Sequence, residues 1–159
     1  MDDLDLKIIK KLQENAKFSY KDIARMLETP TSTIHFRIKK MIEEKIIVKF
    51  SSVIDAGKLG YETVGWIGLT IDPLKTDEIA NKVASFEEVR MVSITGGAHN
   101  LVAQILTTNE KSLWNFIREN IQTIDGVQDL DVSSSLKIFK WDTCYFFNIP
   151  EGKDQITNT

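Results

Sequence analysis

Residues 19–41 read SYKDIARMLETPTSTIHFRIKKM. The stretch decides the N-terminal fold, because Ala24, Glu28 and Ile34 fall at the first, fifth and eleventh places of a pattern in which two short helices cross closely. Ala24 is small enough for the backbones to approach, and Ile34, Ile38 and Met41 recur at helical spacing to anchor the second helix in a core. The rest of that helix turns outward: Ser32, Thr33, His35, Phe36, Lys39 and Lys40. Such groups on an exposed helix can meet base edges and phosphates, so double-stranded DNA is the first partner to consider. Lys39 and Lys40 are expected at phosphates, Ser32, Thr33 and His35 at base edges, and Phe36 at a thymine methyl. Arg37, three places from Ile34, borders the buried stripe, where it can be an ion-pair partner within the module or a further phosphate contact.

The helix signals around this motif are local. Leu4, Ile8, Ile9 and Leu12 share one side of a first helix that ends near Asn15 and Ala16. Ser19 and Asp22 form a capping box for the second helix, whose inner face carries Ile23, Ala24 and Leu27. Thr29 as N-cap and Pro30 at the first helical position are expected to open the third, which runs to about Glu44. Residues 45–54, rich in Ile, Val and Phe, read as extended, so the N-terminal domain is a helix-turn-helix of winged-helix-like kind over residues 1–50. Residues 51–62 form a linker strand and hinge, broken by Asp55-Ala-Gly-Lys-Leu-Gly60.

Charge agrees with this division. Residues 1–50 hold 11 Lys and Arg against 8 Asp and Glu, whereas the remainder holds 9 against 15, so a net charge of -3 conceals a cationic first third. Screening confines phosphate attraction to about 10 Å, and an acidic second domain therefore does not forbid a basic module from docking on DNA. A hydrophobic content of 42% is enough for a buried core. No apolar run approaches the roughly 20 residues of a membrane span, and Met1-Asp2-Asp3 does not resemble the start of a signal peptide, which predicts a cytoplasmic protein with no membrane partner. The lone Cys144 reads as a small buried hydrophobe. His35 and His99 are too far apart in sequence for metal-ligand spacing, and no cofactor is expected.

A second pattern begins at Thr63. Residues 63–71 read as a strand, Asp72-Pro73 introduces a helix with Ile79, Ala80, Val83 and Ala84 on one face, and residues 89–95 return as a strand. The unit then recurs: strand 101–107, a helix capped by Asn109 and carrying Leu113, Phe116, Ile117 and Ile121, and a strand from 127 to about 138. Two βαβ units in succession predict a ferredoxin-like βαββαβ sandwich over residues 63–150, with both helices on one side of four antiparallel strands and a polar tail at 151–159. The chain is thus α+β. Val64 and Trp66 on one side of the first strand, Ile67, Leu69 and Ile71 on the other, and a stripe of Leu130, Val132, Leu136 and Ile138 leave the uncovered sheet face apolar. That favours a symmetric dimer with two helix-turn-helix modules about a two-fold axis. Trp66, Trp114 and Trp141 are read as core or interface residues.

The order of parts is similar to that of the Lrp/AsnC family, the feast/famine transcription regulators. The resemblance spans residues 2–140 and is carried by Leu4-Asp5, Phe18-Ser-Tyr-Lys-Asp-Ile-Ala24, Ser32-Thr-Ile-His-Phe-Arg-Ile-Lys39, Ile46-Ile47, Leu59-Gly60, Thr95-Gly-Gly-Ala-His-Asn-Leu101 and Ile124-Asp-Gly-Val127. It implies a sequence-specific DNA-binding homodimer, often assembled into tetramers or octamers, whose C-terminal domains sense amino acids or related metabolites between subunits. On that resemblance the effector contacts are expected at Gly97, His99 and Asn100. Three departures stand out. Glu28 replaces a turn glycine, Gly97-Ala98-His99-Asn100 replaces the family's Gly-x-Tyr-Asp, and Leu130 and Val132 replace threonines. Asn100 keeps a hydrogen-bond acceptor but loses the carboxylate charge, which predicts altered amino-acid selectivity.

No arrangement of paired acids, glycine-rich phosphate loop or nucleophile elbow emerges, so an enzyme is not expected. Two alternatives share the fold: a siroheme-decarboxylase-like enzyme, which would carry a coloured tetrapyrrole, and an effector-independent architectural DNA-binding protein.

Overall fold

The computed structural model describes residues 1–140, which divide into units 1–53 and 54–140. The readings of Trp141, Cys144 and the polar tail lie outside the described residues. In the first unit, α1 spans Asp3–Glu14, α2 Tyr20–Met26 and α3 Thr31–Glu43. Ile8, Leu12, Ile23, Ala24, Ile34, Ile38 and Met41 form its core, with Phe18, Tyr20 and Ile47 among those packed at its edge.

Both leading helices start with a reciprocal box. Ser19 Oγ accepts the Asp22 N–H at 3.1 Å while the Asp22 carboxylate accepts the Ser19 N–H, and Asp2 and Asp5 do the same at α1. The second box was not read from the sequence. The Ser19 hydroxyl holds the Asp22 carboxyl below its ordinary value, and the Asp5 N–H chiefly does so for Asp2. A carboxyl depressed by folding stabilises the fold above its unfolded pKa, and that contribution is lost as pH falls through the folded value. The melting temperature of the full chain's first unit should therefore exceed that of Asp22→Asn at neutral pH, and the gap should begin to close as pH nears the ordinary carboxyl value of 3.8 and vanish only below the depressed folded one. A gap independent of pH would contradict this.

In the turn into α3 a non-glycine residue holds the left-handed position. Glu28 takes a left-handed φ of 48°, and Thr29 N–H reaches back to the Ala24 carbonyl at 2.9 Å, closing α2 with a Schellman-type cap. Capping of α3 differs by one position from the sequence reading. Pro30 itself is the N-cap, its carbonyl accepting from Thr33 and Ile34, while Thr29 Oγ1 donates to the Leu27 carbonyl. A residue before proline avoids helical ψ, which holds Thr29 in the turn.

Residues 45–54 do not form a strand. Lys45 at φ 57° ends α3, Ile47 alone returns to the core, and Val48 stands 83% exposed. Extended residues need a ladder partner, and among the described residues this segment has none.

The second unit contains β1 (Thr63–Ile71), α4 (Thr76–Ala84), β2 (Val89–Ile94), β3 (Leu101–Thr107), α5 (Glu110–Phe116) and β4 (Val127–Ser134). The sheet order is β2-β3-β1-β4 with every pairing antiparallel, as the ferredoxin-like reading requires. Asp72 caps the 3₁₀ turn Pro73–Lys75 that leads into α4, and Asn109 Oδ1 accepts the Ser112 N–H at 2.9 Å to open α5. A π turn, Ile117–Ile121, prolongs α5 and delivers Ile117 and Ile121 to the core. Ala84, expected on the inner face of α4, is exposed at its last position.

Ile67, Leu69 and Ile71 meet Leu101, Ala103 and Ile105 beneath α4 and α5. Gly65 lies on this face too, where a Cβ would stand 2.6 Å from Leu113 Cδ1. Cross-strand partners share a face, so Trp66, Gln104 and Ser133 define the other side, together with Gly68, Val102 and Asp131. Leu130 and Val132 pack on the helix side, and the open face of β4 shows Asp129, Asp131 and Ser133 instead. The expected stripe thus divides: β4 ends at Ser134, opposite Gly65 and two residues short of the start of β1, and Leu136 beyond it is left 98% exposed.

Candidate nucleic-acid interface and ligand loop

Burial of Ile34, Ile38 and Met41 fixes the rotation of α3. Ser32, His35, Phe36, Lys39 and Lys40 are consequently exposed at intervals of three and four, and Thr33 is half-buried beside them. Phe36 shows 63% of its surface. Lys39 and Lys40 run along the helix toward Glu43 and Glu44 at 3.8 and 3.7 Å, loose exposed pairs that leave both ammonium groups accessible. His35 lies edge-on to Tyr20 with ring centroids 5.4 Å apart.

Arg37 takes the first of the two roles its position allowed. Its Nη1 donates to Asp2 Oδ2 at 2.6 Å and to Asp5 Oδ1 at 3.3 Å, tying α3 to the start of α1. The Asp2 hydrogen bond raises the guanidinium above its ordinary value. Arg37 therefore does not extend the outward stripe in this structure. The acidic N-terminus was informative here, but nothing local links Asp2 to a residue 35 positions away.

In the second unit, residues 95–100 join β2 to β3. Gly96 and Gly97 have open space around them. The His99 ring folds back onto the open sheet face at Gly68, where a Cβ would come within 2.3 Å of His99 Cδ2. Its Nε2 stands 2.9 Å from Asp131 Oδ2, and Nδ1 is buried without a hydrogen-bond partner. Asn100 is engaged internally: Oδ1 accepts the Ile71 N–H and Nδ2 donates to the Ile71 carbonyl, both at 2.8 Å, where the pairing of β1 with β4 shifts register. Gly97 and His99 are thus brought together on one loop, with Asn100 serving as the clamp that holds it. Gly68 and Asp131 complete the arrangement, and their distance in sequence hid them from a linear reading. Among the described residues no three His, Cys, Asp or Glu side chains could hold a metal ion, and no helix is long and apolar enough to cross a membrane.

A core-anchored recognition helix joined to a ferredoxin-like unit defines a two-domain, DNA-binding regulator. Residues 1–42 match the AsnC-type helix-turn-helix domain, and residues 66–143 match the Lrp/AsnC ligand binding domain. An uncharacterised HTH-type transcriptional regulator of Pyrococcus furiosus is 36% identical over 141 residues, 89% of this chain and 95% of that protein. Escherichia coli AsnC superposes with a TM-score of 0.83 at 26% identity, covering 91% of this chain and 97% of its own. A transcriptional regulator of Neisseria meningitidis, solved as a complex with L-methionine, has the same fold at a TM-score of 0.83 and 21% identity, with 90% of this chain and 94% of that one covered. The chain belongs to the Lrp/AsnC family, and its function is transcription regulation through a DNA-binding helix-turn-helix.

Proposed function

We propose that the chain is a cytoplasmic, non-enzymatic regulator that binds specific duplex sites as a homodimer or larger homo-oligomer and responds to an amino acid or related metabolite. The outward face of α3 carries the proposal. Ser32, Thr33, His35 and Phe36 read bases, and Lys39 and Lys40 hold phosphates, because the buried stripe of the same helix leaves only that face free to enter a major groove. Arg37 contributes by fixing α3 on α1. Relatives named as transcriptional regulators favour this reading over a siroheme-decarboxylase-like enzyme. Footprinting separates it from an architectural role: spaced, palindrome-like protection is expected, and continuous coverage would count against it.

The second copy is assigned to the open sheet face. Trp66 stands 41% exposed there, with its indole N–H donating to Ser135 Oγ at 3.1 Å. Burying the apolar part of this face, Trp66 and Val102 included, contributes roughly 25 cal/mol per Å² of apolar area, with Asp129, Asp131 and Ser133 as a polar flank. Full-length protein should sediment as a dimer or larger species at micromolar concentration, and Trp66→Asp should shift it toward monomer. A wild-type monomer, or a variant that sediments unchanged, would remove this assignment.

For the effector, the Lrp/AsnC description of the second unit and the L-methionine complex of the Neisseria protein support a small amino acid at the loop bearing Gly97 and His99. Asn100 shapes that loop through Ile71.

A further inference from the structure

The imidazole assigned to base readout has an aromatic neighbour on a different helix. Tyr20 is the first residue of α2, directly after the N-cap Ser19 of the Ser19–Asp22 box, and it packs against the core of the first unit. Its ring meets His35 edge-to-face, at 5.4 Å between centroids and 68° between planes. An exposed side chain on a helix ordinarily samples several rotamers, and ordering it on binding weakens the interaction it makes. A ring fixed by a helix cap and a hydrophobic core restricts that sampling in advance. Aromatic pairs of this geometry also attract one another beyond the area they bury.

We infer that Tyr20 is a positioning residue for sequence readout: it holds the His35 imidazole at the angle from which it meets a base edge, and so sets the preference at that base pair. The inference rests on the proposed role of His35. Phosphate binding lies with Lys39 and Lys40, on later turns of α3, so Tyr20 acts on specificity and not on the electrostatic part of binding.

Full-length wild type, Tyr20→Leu, Tyr20→Phe and His35→Ala should each be used to select duplexes from a random pool, with binding to random-sequence DNA titrated against salt. Leucine keeps the apolar packing on the core and lacks the ring, whereas phenylalanine keeps both. His35→Ala and Tyr20→Leu are expected to lose preference at the same base pair, Tyr20→Leu by about two- to tenfold, the range an aromatic pair supplies. Tyr20→Phe should retain it, the double variant should be no worse than His35→Ala, and the salt slope of Tyr20→Leu should equal that of wild type.

Wild-type preference in Tyr20→Leu beside a loss in His35→Ala would overturn the inference and leave the reading of His35 standing. Unchanged preference in His35→Ala would overturn that reading itself. Weaker binding of Tyr20→Phe to random and selected duplexes alike would make the Tyr20 hydroxyl a phosphate ligand, again overturning the inference. Should Tyr20→Leu not melt cooperatively, the wild-type protein decides: nuclear Overhauser effects between the Tyr20 ring and the His35 imidazole should persist in the DNA complex, and their disappearance on binding would contradict the positioning role.

Discussion

Replacing Lys39 and Lys40 with alanine should weaken binding to duplexes of every sequence and reduce the slope of log affinity against log salt by about one unit for each phosphate no longer neutralised. Both ammonium groups are exposed and make only loose pairs with Glu43 and Glu44, at 3.8 and 3.7 Å, so their removal leaves the core of the first unit intact. Each bound lysine releases a condensed counterion, which is why the effect should be largest at low salt and should shrink as salt rises. His35→Ala should behave differently, lowering affinity for the selected site and leaving random DNA almost unaffected. Parallel isotherms of the three variants on selected and random duplexes, at several salt concentrations, check this. Equal weakening on both DNAs for all three would abolish the division between phosphate binding and base readout.

A still larger effect is expected from Ile34→Ala. Ile34 is fully buried where α3 crosses the unit, against a core built with Ile8, Ile23, Ala24 and Ile38. Truncating such a side chain costs about 2–5 kcal/mol, the transfer term plus the cavity left behind. A domain the size of residues 1–53 has only about 3–8 kcal/mol to lose at ordinary stabilities per residue. The variant should therefore lose DNA binding through unfolding of its first unit, with the second unit still folded. Two calorimetric transitions in wild type, the one for the first unit shifted down or missing in Ile34→Ala, would show it. A variant with unaltered melting and normal binding would contradict the core assignment on which the orientation of the recognition face depends.

How much of this was legible in the sequence depends on range. Ser19 and Asp22 announce a cap because the atoms they join lie within one helical turn, and Asn109 does the same for Ser112. Strand β1 was readable end to end, since Gly60 and Asp72-Pro73 punctuate both flanks of a β-rich run. Where the outcome depended on a distant partner, the reading drifted. Residues 45–54 have the composition of a strand but, among the described residues, no ladder to join, and β4 stops at Ser134, opposite Gly65 and six residues before Lys140. Leu130 and Val132 look like one stripe with Leu136 until the register with Leu69 and Ile67 places them on the helix side. At the recognition helix, the outward residues follow from periodicity alone. The partners that refine them do not, because Asp2 reaches Arg37 and Tyr20 reaches His35 only through the tertiary packing of the three helices. The loop at 95–100 is the extreme case: His99, Gly68 and Asp131 come from three separate segments, and Asn100, read from the sequence as an effector contact, makes two bonds to Ile71 that no local pattern announces.

Selection of bound duplexes from a random or genomic pool by the full-length protein asks whether the outward face of α3 reads particular DNA sequences from a symmetric dimer. The enriched fragments should share two inverted half-sites with a fixed separation of one helical turn, about 10 base pairs, or a multiple of it, and changing His35 should alter the preferred bases within each half-site. Fragments no more alike than the starting pool, recovered in proportion to their length, would contradict that reading.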